Sequence, residues 1–523
     1  MTAKRDIDLK ATLRSEHLER LKDLLAIKKR TVGRARWSKL VTVYFDTPDL
    51  QLRRLGLSLR VRKSGRAYVQ CVKQVHNKVG GVLVRTQCED PVPSQDPVIS
   101  VVEDKALRRQ LRRVGVEHLQ PVFRTHVQRS SQTLKFDDGS TVSLDIDVGA
   151  IVAGDICEPT YEFELELKSG APDQLFDLAC EIRKDVPFRL ATLSKSSRGY
   201  ALLTQDDPQA QKYVRLNLSK DHTVEQALAE LVQHCLDYLR AGEAVVLKTD
   251  NAEGVHQMRV ALRRLRAALR LFKKSLAEDQ YGWAVAEAKW LTAELSAARA
   301  WDVFADEFVA PVARLYGAQH GFDALIAAVD RARQQSRQRA RDAIGTCRYT
   351  QFLLRLNAWL ASQTCRDQPV VQATTRHLES IGEQCVKWLH KRDRNVRKRG
   401  RDIENLPEEA LHELRLVVKK QRYAVDFFAG LYPKKPTKLY RKHLAALQDR
   451  LGLLNDVAVA DTLLRELAET NGDQRPPDWA FAGGLTLGWH DHAAIAARRS
   501  LVKDMAAFLR SEPFGHGHET FAA

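Results

Sequence analysis

Two different periods of apolar and polar residues divide this chain. Over its first two hundred residues the pattern alternates position by position, which puts successive side chains on opposite faces of a strand. Asp6-Ile7-Asp8-Leu9-Lys10 sets Asp6, Asp8 and Lys10 against Ile7 and Leu9. Leu57-Ser58-Leu59-Arg60-Val61-Arg62 brings Arg60 and Arg62 to one face, and Tyr68-Val69-Gln70-Cys71-Val72-Lys73 ends in a lysine. Val142 to Asp147 alternates acids with aliphatics, and Glu162 to Lys168 sets three carboxylates and a lysine opposite three apolar groups. One such strand is the ordinary wet face of an antiparallel sheet. Five or more, mixing acids and bases on the same face, predict an antiparallel barrel whose charges line a polar channel.

From about Thr223 the period becomes that of amphipathic helices, beginning with Val224, Leu228, Leu231 and Leu239. Thr223 and Gln226 have the spacing of a capping box. The stretch Val255–Phe272 carries the clearest signal. Its apolar stripe includes Val260, Leu262, Leu265, Leu269 and Phe272, while His256, Arg259, Arg263 and Arg266 share another face, with Arg264 adjoining them. The pattern recurs 156 residues later over Leu411–Phe428. There His412, Arg415, Lys419 and Arg422 answer the first set, and Lys420 answers Arg264. A matched recurrence predicts two copies of one helical unit. Thr204 to Leu218 reads as a polar linker, and Asp367-Gln368-Pro369 breaks the helical pattern. The expected organisation is a sheet domain over 1–203, a linker over 204–218, a helical domain over 219–510 in two halves (219–367 and 370–510), and a tail over 511–523.

Charge adds a partner to this outline. A net charge of +17 and a pI near 9.5 call for an anion. Rows of guanidiniums suit phosphate, which each fork can hold through two hydrogen bonds. The basic run from Lys391 to Arg401 reads as an extension of that surface. Nucleic acid is not expected as a specific ligand, because no helix-turn-helix, zinc-finger or RNP pattern is visible and stacking aromatics are scarce. His256 and His412 are not expected to hold a metal, since the surrounding cations repel one. In the first two hundred residues the paired carboxylates suit Mg²⁺ or Mn²⁺, hard ions that take oxygen ligands. Opposite them, arginines and lysines suit phosphate oxygens, so the alternating strands fit a site for a metal-bound triphosphate.

No run of about 18 apolar residues occurs, so membrane insertion is not expected. Eight scattered cysteines without CxxC pairs, and an N-terminus without an apolar signal core, predict a cytoplasmic chain with reduced thiols.

The strands resemble the CYTH superfamily, the triphosphate tunnel metalloenzymes. Asp6-Ile7-Asp8-Leu9-Lys10 stands where that family has Glu-x-Glu-x-Lys, and Tyr44-Phe45-Asp46-Thr47 resembles its Tyr-x-Asp-Thr segment. Arg60-Val61-Arg62, Lys73, Arg129, Asp147-Val148-Gly149, Glu162-x-Glu164-x-Glu166 and Ser194-Lys195-Ser196-Ser197-Arg198-Gly199-Tyr200 follow its later motifs in order. The resemblance implies that Asp6, Asp8, Asp147, Glu162 and Glu164 hold one or two divalent ions. It implies that Lys10, Arg60, Arg62, Lys73, Arg129, Lys195 and Arg198 clamp the phosphates, while a metal-activated water attacks the terminal phosphorus of inorganic triphosphate. Asp6 and Asp8 are each one methylene shorter than the family's glutamates, and Gln87 and Ser143 stand where Glu is frequent.

The two basic helices resemble the signature helices of the CHAD family, the conserved-histidine α-helical domains. Leu295–Val303 and Leu447–Val457 resemble the segments that follow those helices, with Ala298 in place of a usual glycine. This resemblance implies two four-helix halves around a basic groove that binds long-chain inorganic polyphosphate through His256, Arg259, Arg263, Arg264, Arg266, His412, Arg415, Lys419, Lys420 and Arg422. The expected class is therefore α+β: an antiparallel barrel with flanking helices, then an all-α region of two repeated bundles. The expected activity is metal-dependent hydrolysis of inorganic triphosphate, with association to polyphosphate granules. A non-enzymatic polyphosphate binder and an organic triphosphatase are the alternatives.

Overall fold

The alternating segments form strands in the computed structural model, which describes residues 7–75, 85–211, 213–316, 321–364, 379–471 and 479–514. The strands are β1 (Asp8–Leu13), β2 (Thr31–Asp46), β3 (Leu57–Ser64), β4 (Ala67–Val75), β5 (Arg85–Val92), β6 (Gln120–Lys135), β7 (Thr141–Ala153), β8 (Ile156–Ser169) and β9 (Phe188–Leu190). They build one sheet in the order β5-β4-β3-β2-β6-β7-β8-β1-β9. Its pairs are antiparallel. The barrel expected from the sequence is not closed by strand pairing among the described residues, since β5 and β9 each have a neighbour on one side.

The sheet instead curls around one helix, Lys195–Thr204. Ser196 Oγ meets Ser58 Oγ of β3 at 3.2 Å, Lys195 meets Asp147 of β7 and Glu162 of β8, and Tyr200 Oη donates to Asp46 Oδ2 at the end of β2 (2.9 Å). Strands far apart in the sheet order thus converge on one short element. Gly199 permits this approach, because a Cβ there would overlap the Phe123 ring.

The apolar face of the sheet is covered from outside. Leu9, Ala11, Leu144, Ile146, Phe163 and Leu165 pack with Leu175, Leu178 and Ile182 of the helix Pro172–Asp185. Val43, Leu59, Val61 and Val72 pack with Leu107 and Leu111 of Lys105–Val114. Burying one face leaves the alternate residues on the other, which is why the charged positions share the inner side.

The helical pattern is equally faithful. Val224–Lys248 begins at a capping box made by Thr223 and Gln226 in both directions. The first basic helix is Ala252–Leu271 and the second Glu408–Phe428. In the first half the third helical stretch is interrupted at Leu295 and by a π-turn over Phe304–Val309. The helix that follows the second basic helix, Lys434–Asn471, runs unbroken.

One helix corrects the expected boundaries. Cys347–Thr364, placed by sequence in the first helical half, packs against Pro172–Asp185 with Leu354 in the sheet unit's core. The compact units are accordingly 1–208 with 345–368, and 209–344 with 369–523. The physical reason is that an apolar helix face reveals that it must be buried but not against which element. No described helix is long and apolar enough to cross a membrane, and the seven described cysteines are free thiols.

Candidate functional site

Directly opposed residues in an antiparallel pair share a face. The register therefore writes out the inner surface of the sheet. One row runs Ser38, Arg129, Asp147, Glu162, Thr12; the next runs Arg36, Ser131, Asp145, Glu164, Lys10; a third includes Ser143, Glu166 and Asp8. Acids occupy the β7–β8–β1 side, while Arg60, Arg62 and Lys73 come from β3 and β4.

Most acids on this face are neutralised by cations. Arg129 donates from Nε and Nη2 to Asp147 at 2.7 and 2.8 Å, and from Nη1 to Asp145 at 2.6 Å. Lys195 bridges Asp147 (2.8 Å) and Glu162. Lys10 lies 2.9 Å from Asp8 and 3.0 Å from Glu164. Burial works against the charge of Arg129, but its bonds to Asp147 and the nearby Asp145 more than offset this and hold its proton tightly. Burial likewise opposes charge on Lys10, yet Glu164 and Asp8 raise its pKa overall. Asp147 is pushed up by burial but drawn below the usual carboxylate range by Arg129 and Lys195.

Across the sheet the two arginines of β3 differ: Arg60 donates to Tyr44 Oη at 3.5 Å, and against burial Tyr44 and Cys71 raise its pKa. Burial, then the proximity of Arg60 and Arg129, lowers the pKa of Arg62. The Nε atoms of Arg60 and Arg62 are buried without a hydrogen-bond partner among the described residues. Buried donors of this kind require an acceptor. The inner face thus offers carboxylate oxygens on one side and two arginines with unpaired Nε donors on the other.

The donor set bears on a metal. Among the described residues no three His, Cys, Asp or Glu side chains form a ready cage. Mg²⁺ is commonly held by one or two carboxylates together with substrate phosphates, and adjacent all-oxygen pairs such as Asp8 with Glu164 suit that chemistry. Asp6 lies outside the described residues, as does the Gln87 side chain.

The structure also redistributes some expected roles. Arg198 is held by Glu158 (Nε to Oε1 2.7 Å), Thr160 (2.9 Å) and Glu162 (2.6 Å), so it braces the acids instead of facing open space. Asp145, absent from the expected site set, is central, and its alternation with Asp147 was the available signal. Glu158 is further along β8, where no motif marked it.

In the helical unit the two basic helices meet. Arg259, Arg263, Arg415 and Lys419 repel one another across a trough that includes Arg299 and Tyr423. Burial first, then Arg263 and Arg299, lowers the Arg259 pKa to about 10. Burial, then Arg415 and Arg263, lowers Lys419 to about 7. Burial and Arg299 also lower His256. The Nε atoms of Arg263 and Arg415 are buried without a hydrogen-bond partner among the described residues. Arg259 donates to the Thr292 carbonyl (3.2 Å) and to Ser296, and Arg415 to Asn455 (2.9 Å), with Asp456 3.7 Å away. The equivalent acid of the first half, Asp302, is buried between Arg333 and Arg337, each at 2.7 Å.

Four of the expected trough residues have other surroundings. Arg264 is buried, donates to Asp426 at 3.0 Å and lies 3.7 Å over the Tyr213 ring, so it is a packing residue. Its neighbour Arg263 faces the trough, but one step along a helix turns a side chain by about 100°. Arg266 lies near Arg270, and Lys420 near Arg270 and Arg392. His412 is exposed beside Glu413.

Comparison with known proteins fits this two-part picture. Residues 5–200 match the family model of the CYTH domain, and residues 230–465 that of the CHAD domain. An inorganic triphosphatase from Haemophilus influenzae is 29% identical over 164 residues, covering 31% of this chain and 46% of that protein. The chain therefore spans about half the length of this curated relative. A solved CHAD domain from Ricinus communis is 29% identical, covering 58% of this chain and 96% of its own, with a TM-score of 0.47. A candidate adenylyl cyclase of Hippeastrum, found to have a dominant triphosphatase activity, is 18% identical over 38% of this chain and 95% of its own, with a TM-score of 0.28.

Proposed function

The chain carries a CYTH domain and a CHAD domain, and on that premise we propose that the sheet unit hydrolyses inorganic triphosphate while the helical unit binds inorganic polyphosphate. The observation that carries the first half is the opposition, on one sheet face, of an acid ladder to Arg60 and Arg62, whose buried Nε donors have no partner among the described residues. Relatedness of the CYTH domain to an inorganic triphosphatase supports the same reading.

Arg60 and Arg62 bind the non-bridging oxygens and stabilise charge on the departing pyrophosphate as water adds to the terminal phosphorus. Lys10 and Lys195, now bonded to carboxylates, gain phosphate oxygens as additional acceptors. Arg129 and Arg198 keep Asp147 and Glu162 in place. Asp8, Glu164 and Glu162 are the carboxylates that would hold Mg²⁺ or Mn²⁺, which when bound neutralises phosphate charge and acidifies water.

The helical trough holds cations with little compensating acid, so an anion relieves their mutual repulsion. A phosphate chain satisfies several guanidiniums at once. Linking the two units raises the local concentration of polymer near the sheet site.

Phosphate release from tripolyphosphate, titrated with Mg²⁺ and with Mn²⁺, tests the hydrolase reading. Release with either ion supports it. Silence with both leaves the sheet as a binding module, a second reading favoured by the cation bonding that already engages the Asp147 and Glu162 carboxylates. Tripolyphosphate, ATP and thiamine triphosphate compared side by side separate inorganic from organic substrates.

A further inference from the structure

The helical unit has a second basic concavity, at the C-terminal end of the first basic helix. Its volume is about 1120 Å³, and eight lysines and arginines line it against one carboxylate, Glu379. Arg270 comes from the first basic helix, and Lys391, Arg392 and Arg394 from the helix Ile381–Arg399. These four make no ion pair among the described residues. Burial and Arg270 lower the pKa of Arg392, and burial with Arg270 and Arg392 lowers that of Lys420.

The internal repeat gives this pocket a counterpart. Thr223 and Ser380 cap equivalent helices and pair with each other. Aligning those helices from their caps makes His234 answer Lys391 and Tyr238 answer Asn395. In the basic helices Asp426 answers Arg270, and Arg264 answers Lys420. The counterpart groove is filled by the chain itself. Val214 N donates to Tyr238 Oη (2.8 Å), its carbonyl meets His234 Nε2 (2.7 Å), Tyr213 lies under Arg264, and Arg215 approaches Asp426 (3.9 Å).

The footprint of that segment maps onto Asn395, Lys391, Lys420 and Arg270. At the decisive position the charge is inverted: Asp426, bonded by Arg264 and Arg441, also draws the linker's Arg215, whereas Arg270 lines the open pocket. A groove built to take an extended chain is thus duplicated with the electrostatics of an anion site. It also continues the trough. Arg259, Arg263, Arg266 and Arg270 form one stripe on one helix, spanning roughly 16 Å at 1.5 Å per residue.

We propose that this pocket is a second anchor for an inorganic phosphate chain, gripping the polymer where it leaves the trough along Arg266 and Arg270. The proposal rests on reading the basic helices as a polyphosphate site. It makes long chains bivalent ligands and short ones monovalent, so chain length is sensed by linkage.

The test uses the full chain, with K391E/R394E and, as a milder pair, K391Q/R394Q. Both positions are exposed, and thermal melting checks the fold. Titration calorimetry with long-chain polyphosphate should show at least a tenfold weaker Kd for K391E/R394E and a smaller loss for the Gln pair. Tripolyphosphate binding should stay within twofold. If long-chain binding is unchanged in both pairs while R263A/K419A weakens it, the second anchor is overturned and the trough reading stands. If R263A/K419A also leaves it unchanged, the polyphosphate reading itself falls. Single-stranded DNA binding as tightly as polyphosphate, and lost equally in K391E/R394E, would overturn the assignment to an inorganic chain.

Discussion

The sheet unit and the helical unit both concentrate arginine and lysine on one face, yet they treat that charge in opposite ways. On the sheet, Arg129 and Lys10 hold their protons more tightly than usual because Asp147, Glu164 and Asp8 answer them. On the helices, Arg259 and Lys419 lose affinity for protons because burial and other cations surround them. A face with internal counter-charge can receive a cation and an anion together. A face without it is poised for an anion alone. Composition does not separate these cases; pairing does.

The largest expected effect would break the comparison at the sheet. Replacing Arg60 and Arg62 with Ala should reduce tripolyphosphate turnover by about 10²-fold or more, the scale of removing a preorganised donor. Long-chain binding should remain within twofold in a calorimetric titration. Loss of both together would mean the two faces are not independent.

The reciprocal change is R263A/K419A. Long-chain polyphosphate affinity should fall by about tenfold or more, since each charge-assisted hydrogen bond contributes about 1.5–3 kcal/mol. The slope of log affinity against log salt should shrink as fewer counterions are released. Turnover of tripolyphosphate should hold, measured as phosphate release.

A third change probes how the sheet curls. Gly199→Ala sets a methyl against the Phe123 ring, and overpacking of this kind destabilises by about 1–3 kcal/mol. Thermal melting should show a lower Tm, and turnover should drop because Lys195 and Arg198 move with their helix. An unchanged Tm would show that the helix can retreat without penalty.

The smallest effect sharpens the contrast through pH. Free Lys419 gives up its proton near pH 7, and a bound anion restores it. Long-chain affinity should therefore weaken as pH rises above about 7, by up to about tenfold for one charged contact. Lys419→Arg should flatten that profile. The same shift has a definite sign for stability. The unfolded lysine keeps its proton up to its ordinary value while the folded one loses it near 7, so the ligand-free helical unit gains stability as pH climbs through that window. Calorimetry across pH 6 to 9 checks both slopes.

Period alone determined much of this protein. Alternation at 6–10, 57–62, 142–147 and 162–168 placed Asp8, Lys10, Arg60, Arg62, Asp147, Glu162 and Glu164 on strand faces, and recurrence of one basic pattern marked the two basic helices. Thr223 and Gln226 marked a helix start that the structure reproduces. These features are local: a strand or helix face follows from spacing along a few residues.

Tertiary structure decided what each charge meets. It joined Arg129 to two acids, turned Arg264 into Asp426 and Tyr213, left Arg270 facing a pocket, and drew Cys347–Thr364 onto the sheet unit. None of this is written in spacing, because the energy of a charge depends on which distant segments approach it and how much water they exclude.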